Sequence, residues 1–207
     1  MDRSDWTTYV ASVVYAVQFD RQPVDAVDRL MELIVATDVL PGTPEDHLTA
    51  VRSALASTVR LAELVPQPHT EGALRKLLRT LEGRLDSWVR EGSAVSRVPV
   101  TDWSPAGPSP VVAHLAREPE FLSRWLGSPF DQVSDETGEL RIAALRLASG
   151  KVVALLQVVG NPAPGTSLLQ AGAEPPDDVV REFLVDTQLS DSVVEWIAGP
   201  AAGQPAP

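Results

Sequence analysis

Apolar positions in the first half of the chain recur with the 3.6-residue period of an amphipathic helix. Trp6, Tyr9, Val10, Val13, Val14 and Val17 make the first stripe. Its β-branched residues lower helix propensity, but the spacing is helical and not the two-residue alternation of a strand. A second stripe, Val24, Val27, Leu30, Met31 and Ile34, follows Pro23 and stops at Pro41-Gly42; proline suits the first turn of a helix. The third start is the sharpest: Thr43 as cap, Pro44 in the first position, then Glu45 and Asp46 at the positive end of the dipole. Leu48, Val51, Leu55, Val59 and Ala62 continue that face. After the break at Val65-Pro66-Gln67-Pro68, Thr70 caps a fourth helix. It turns Leu74, Leu77, Leu78, Leu81, Leu85 and Trp88 inward, with Gly92 just past its end. Short connections favour antiparallel neighbours, so residues 1–92 are predicted to form an antiparallel four-helix bundle. Leu77, Leu81, Leu85 and Trp88 would then meet Trp6 and Val13.

The pattern changes after Gly92. Prolines at 99, 105, 108 and 110 interrupt it, with room for a strand at Val95–Val100. Ser109 and Pro110 read as the start of a helix to about Arg117. Pro119 kinks that helix or starts another, with the stripe Phe121, Leu122, Trp125 and Leu126 and a stop at Gly127. Glu139–Leu147 and Val152–Val159 read as a β-hairpin around Ser149-Gly150. The second of these strands is almost wholly apolar, which predicts a central position. A lone hairpin is marginal in water, so a third strand is expected from Val95–Val100 or Ser167–Gln170. Two acidic helices, Pro176–Asp186 and Asp191–Ile197, and a frayed tail complete the reading. The expected fold class is α+β: a helical bundle over 1–92, then a small antiparallel sheet (hairpin plus one or two strands) with flanking helices. The second domain is 93–199, centred on the hairpin at 139–159, and 200–207 is expected to be disordered.

Composition narrows the function classes. A hydrophobic fraction of 44% is ordinary for a folded chain. The formal net charge is −11; residues 1–92 hold 14 acids and 10 bases, and residues 93–207 hold 14 acids and 7 bases. From Glu174 onward seven acids face the single base Arg181. Such a surface repels phosphate backbones and favours basic partners. No cysteine occurs, which excludes disulfides, thiolate metal sites and thiol nucleophiles. No signal-peptide pattern and no apolar run of membrane-spanning length is present, so the cytoplasm is the expected compartment.

Motifs for chemistry are lacking. His47, His69 and His114 are the only histidines and fall in no paired ligand spacing. His47 and His69 read as solvated, and His114 as a hydrogen-bonded structural residue beside an apolar stripe. A triad of Ser109, His114 and Asp102 has no nucleophile elbow to support it. No phosphate-binding glycine loop exists, and Gly160–Gly165 is rich in proline, which lacks the amides a phosphate nest needs. Asp131, Asp135, Glu136 and Glu139 do not fit a calcium loop and read as an exposed turn. No catalytic residue, metal site or cofactor is therefore expected. Of the five tryptophans, Trp6, Trp88, Trp125 and Trp196 fall on stripes, whereas Trp103 sits in a connector and is a candidate binding anchor. The expected function is a non-enzymatic protein-binding module that engages a basic surface: an adaptor, an inhibitor or an immunity-like antitoxin. The helical half is similar in size and acidity to colicin-type immunity proteins, a likeness of fold level only. The candidate partner-binding residues are Asp178, Glu182, Asp186, Asp191, Glu195 and Trp103. Asp178, Glu182 and Asp186 are four apart, as are Asp191 and Glu195, so on helices they would share an exposed face. The alternative is a small-molecule-binding or enzymatic α+β domain with its pocket near His114.

Overall fold

The computed structural model describes residues 5–37, 39–103, 109–135, 138–160 and 165–196. The chain divides into two compact units, Met1–Gly92 and Ser93–Pro207. It combines α-helices with an antiparallel sheet. Among the described residues no helix is long and apolar enough to cross a membrane.

The first unit carries α1 (Asp5–Ala16), α2 (Val27–Ala36), α3 (Pro44–Ala56) and α4 (Glu71–Glu91). Their starts follow local chemistry. The Thr43 hydroxyl accepts from the Asp46 amide at 3.3 Å, and the Asp46 carboxylate accepts from the Thr43 amide at 3.0 Å, a reciprocal capping box before Pro44. The Thr70 hydroxyl accepts from the Ala73 amide at 3.3 Å. Pro23 opens a 3-10 turn, Pro23–Ala26, that leads into α2. α3 is shorter than its apolar pattern predicts. Ser57 leaves the helix in an extended conformation, and its hydroxyl donates to the Ala54 carbonyl at 2.8 Å. The pattern resumes in a separate 3-10 turn, Leu61–Glu63, which buries Leu61. α4 packs on α3, on α2 and on the 3-10 turn before it, whereas α1 packs chiefly on α3. The principal neighbour of α1 is therefore α3, and not α4 as the stripes suggested.

The described residues of the second unit form a seven-stranded antiparallel sheet with two α-helices. Its strands are β1 (Ser96–Val98), β2 (Val111–Leu115), β3 (Asp131–Asp135), β4 (Gly138–Arg146), β5 (Val152–Val158), β6 (Thr166–Gln170) and β7 (Val194–Trp196). Their order is β1-β4-β5-β6-β2-β7, with β3 also paired to β4. β5 lies between β4 and β6, the inner position its apolar sequence predicts. Ala143, Leu155, Leu168 and Ala113 line up across four strands on one face and are all buried. α5 (Pro119–Leu126) and α6 (Pro176–Thr187) belong to that face. Arg141 and Gln157, on the same side of the pleat as Ala143 and Leu155, bond to Glu120 and Glu118 at the start of α5. The buried Trp125 indole donates to the Thr187 carbonyl at 2.7 Å and so ties α5 to α6. Pro119 stands in the first turn of α5, and Gly127, in the left-handed conformation at φ 60°, ends it.

The sheet is larger than the sequence pattern indicates, and three segments account for the difference. Pro110–Arg117 is not a helix but contains β2, paired to β6 and β7. A Ser-Pro start precedes strands as well as helices, and five residues are too few for a period to show. Val111, Val112 and alternating burial at Ala113, His114 and Leu115 belong to a pleat. Asp191–Ile197 is likewise not a helix. A 3-10 turn, Asp191–Val193, leads into β7, where β-branched Val194 favours extension. Asp131–Asp135, read as an exposed turn, is β3 in register with Gly138–Ile142. Its acids hide the alternation because this edge strand is largely exposed. The expected tail at 200–207 lies outside the described residues.

Candidate functional site

α6 carries most of the acids expected to face a partner. Its start is Pro176, with Asp177 and Asp178 in the first turn where the helix dipole favours them. The inner side of α6 is fixed by Val179, Val180 and Phe183, all buried. Glu182 and Asp186 lie one turn apart on a side that meets the turn between β4 and β5. Glu182 accepts from the Lys151 ammonium at 2.6 Å. The Asp186 carboxylate accepts from the Ala148 amide at 2.7 Å, and the Asp186 backbone carbonyl accepts from the Ala94 amide at 2.7 Å. Asp186 is only 9% exposed. The shared exposed face expected of Asp178, Glu182 and Asp186 is thus a correction: four-residue spacing places Glu182 and Asp186 together, but against the hairpin turn.

The ion pair has a signature in pH. Lys151, with help from Ser149, holds the Glu182 carboxyl below the usual range of about 4.5. A carboxyl whose folded-state pKa is depressed contributes stability above its unfolded value, and that contribution disappears as pH falls through the folded value. Near neutral pH, Glu182→Gln should therefore melt below the wild type. The gap should narrow as pH falls from the ordinary carboxyl range through the depressed folded value, because protonated Glu182 then resembles glutamine. Thermal melts of both proteins across that range measure it.

The remaining acids are dispersed. Asp178 is exposed and pairs with Arg181 at 3.1 Å. Asp191 is exposed in the 3-10 turn after α6. Glu195 is exposed on β7, opposite His114 in the β2–β7 register. It therefore projects from the sheet face opposite the one that carries α5 and α6. Asp191 and Glu195 do not share a helix, so their spacing of four does not bring them together. The outward stripe of α6 is Asp177, Arg181 and Val185, and Val185 is 70% exposed. Trp103 ends the 3-10 turn Val100–Asp102, where its amide donates to the Val100 carbonyl at 3.0 Å, and its side chain is half-buried.

The histidines are placed almost in reverse of expectation. His114 is exposed, and its Nδ1 lies 3.1 Å from the Ser167 hydroxyl on β6. Glu195 flanks it on the other side without a hydrogen bond to it among those described. Asp102 is exposed and accepts from the Thr101 hydroxyl, so Ser109, His114 and Asp102 do not form a triad. His69 is half-buried, with Nε2 3.0 Å from the Val17 carbonyl, and holds the end of α1 to the loop before α4. His47 is 2% exposed. Its ring stacks on Tyr9 of α1 with centroids 4.5 Å apart and an interplanar angle of 29°. Burial lowers the His47 pKa below the histidine range and raises the Tyr9 phenol well above the tyrosine range, so both are neutral near pH 7. An open cleft of about 710 Å³ lies over this pair, between α1, the turn at Leu40–Gly42 and the start of α3.

No family model matches the chain, and neither a curated protein nor a solved structure matches it. Among the described residues no group of three or more His, Asp or Glu side chains could hold a metal ion. The sequence pointed to His114 because it stands beside apolar residues. It passed over His47 because a polar helix start reads as solvated. The available signal was spacing: His47 precedes Leu48, Val51 and Ala54 on the buried side of α3, and Tyr9 is on the stripe of α1.

Proposed function

We propose that the protein is a non-enzymatic protein-binding module, an adaptor, inhibitor or immunity-like protein, that engages a basic partner surface. The observation that supports this most directly is the outward side of α6, where an exposed apolar Val185 lies on the stripe of Asp177 and Arg181, two turns on from Asp177 and Asp178. An apolar anchor supplies contact area, and the carboxylates steer a basic surface toward it. Asp191 is a further exposed acid in the 3-10 turn after the helix. Glu182 and Asp186 are taken up internally and are no part of the proposed interface. Trp103 is a secondary anchor of limited reach, given its half-buried side chain. The first unit, read as an antiparallel four-helix bundle, is on this view the second half of the same binding protein.

The test has two stages. A partner is first captured from the native host on the wild-type chain and identified by mass spectrometry. Association of that purified partner is then timed at low and high salt, with wild type and with the D177N/D178N/V185S variant. Exposed charges are screened beyond about 10 Å at 0.1 M salt. The wild-type association rate should therefore fall roughly tenfold or more with added salt, and the variant should associate slowly at both. Rates that ignore both salt and these substitutions reject the acidic interface.

A second reading has one observation in its favour. Ser167, His114 and Glu195 stand in register on adjacent strands β6, β2 and β7, with the serine in hydrogen-bonding contact with the imidazole. An α+β unit with enzymatic chemistry at His114 would use this row. Nucleophilic catalysis also needs the carboxylate bonded to the imidazole, and oxyanion donors. The contacts described for His114 and Glu195 include neither, so this reading stands second.

A further inference from the structure

Buried polar atoms are nearly always hydrogen-bonded, and an exception asks for an explanation. The first unit brings two such exceptions to one place. His47 Nε2 and the Tyr9 hydroxyl are both buried from water, and neither has a hydrogen-bond partner among the described residues. They belong to two stacked rings and line one cleft. The Cε1–Nε2 edge of the imidazole faces Gly42 in the cleft wall. A Cβ at Gly42 would lie 3.3 Å from Cε1 and 3.5 Å from Nε2, so no other residue could sit so close without crowding the ring. Gly42 has φ 126°, a conformation glycine adopts freely.

We propose that this cleft binds a planar, uncharged small molecule carrying an N–H donor and a carbonyl acceptor, such as a lactam, imide or pyrimidine-type ring. The chemistry follows from the two side chains. The Leu40 backbone beside the ring favours the protonated form, but burial outweighs it and leaves the imidazole neutral. Nε2 is the unpartnered nitrogen, and in the tautomer protonated at Nδ1 it offers a lone pair. It therefore accepts from a ligand N–H. The Tyr9 hydroxyl, neutral at physiological pH, donates to a ligand carbonyl. Leu40 and Ala50 supply apolar wall, and a volume of about 710 Å³ is ample for a ring system. Among the described residues no lysine or arginine lines the cleft, and Asp46 is among its lining residues, which disfavours anions. Both polar atoms are covered in the free protein, so the Leu40–Gly42 turn must draw back from the ring edge as the ligand enters. The site lies wholly in the first unit and does not depend on the acidic side of α6.

The experiment uses the full chain, isotope-labelled, titrated with 2-pyridone as the neutral lactam and with benzoate as the anion. 2-Pyridone should shift the resonances of Tyr9, Gly42 and His47 saturably, and benzoate should not. Tyr9→Phe keeps the ring and its stacking but removes the hydroxyl. It should weaken 2-pyridone binding about tenfold, the loss of one hydrogen bond, while the free variant melts no lower than wild type. The stability readout matters because a merely structural hydroxyl would lower the melting temperature when removed. His47→Leu, which removes the acceptor, should also abolish the saturable shifts and serves if Tyr9→Phe is misfolded. The proposal is overturned if 2-pyridone gives no saturable shift at these residues, if benzoate binds equally well, or if both variants bind 2-pyridone as the wild type does.

Discussion

Leu81→Ala should lower the unfolding free energy by about 2–5 kcal/mol. Leu81 is 0% exposed at the middle of the 21-residue α4, flanked on its stripe by Leu77, Leu78 and Leu85, all at 0%. α4 contacts α3, α2 and the 3-10 turn at Pro23–Ala26, so a cavity at its midpoint is walled by several elements and cannot collapse by moving one of them. The substitution is neutral for helix propensity, because alanine and leucine both favour helix. A loss of stability therefore reports packing alone. Urea unfolding of wild type and variant measures it; a change under 1 kcal/mol would mean that the site relaxes fully or that α4 is not the core helix. A matched change at the exposed Thr80 on the same helix should cost little, and it separates packing from a general weakening of α4.

What the sequence made legible was local and periodic. Thr43 to Asp46 announces a helix start because cap, proline and acids sit within four residues, and the reciprocal hydrogen bonds form as the spacing requires. The stripe from Leu74 to Leu85 extends over three turns, long enough for a 3.6 period to show. β2 and β7 were not legible for the converse reason. Five and three residues hold too little period, and their extended conformation depends on pairing with β6 and with each other, partners 50 and more residues away. The acidic residues failed in another way. Charge and spacing show which side chains share a helix side, but not whether that side meets solvent. Asp178, Glu182 and Asp186 share one as predicted, yet a turn 31 to 38 residues upstream lies against the last two. Tyr9 and His47 are a stacked pair from different helices, and no spacing in the sequence joins them.

Asp186→Ala is expected to destabilise the second unit by about 1–3 kcal/mol, the loss of a charge-assisted hydrogen bond that fastens a part-buried turn. The donor is the Ala148 amide, which gives its hydrogen to the Asp186 carboxylate at 2.7 Å where the chain turns between β4 and β5. Those two strands form the longest ladder of the sheet, from Leu140↔Val158 to Arg146↔Val152, so loosening their turn frays the middle of the sheet and not its edge. Asp186→Asn keeps an acceptor oxygen in place and should recover most of the loss, although a neutral acceptor bonds more weakly than a carboxylate. Glu182→Gln should cost less than Asp186→Ala, because Glu182 and Lys151 keep partial access to water, with side chains 21% and 31% exposed. For a unit of this size, the Asp186→Ala loss corresponds to a drop in melting temperature of roughly 4 °C per kcal/mol. This ordering separates the two roles an acid on α6 could have. If Asp186 steers a partner, its removal slows association and leaves the melting temperature unchanged; if it fastens the hairpin, the melting temperature falls first. The 2.7 Å bond to Ala148 and 9% exposure decide for the second, and equal melting temperatures for wild type, Asp186→Asn and Asp186→Ala would reverse that assignment.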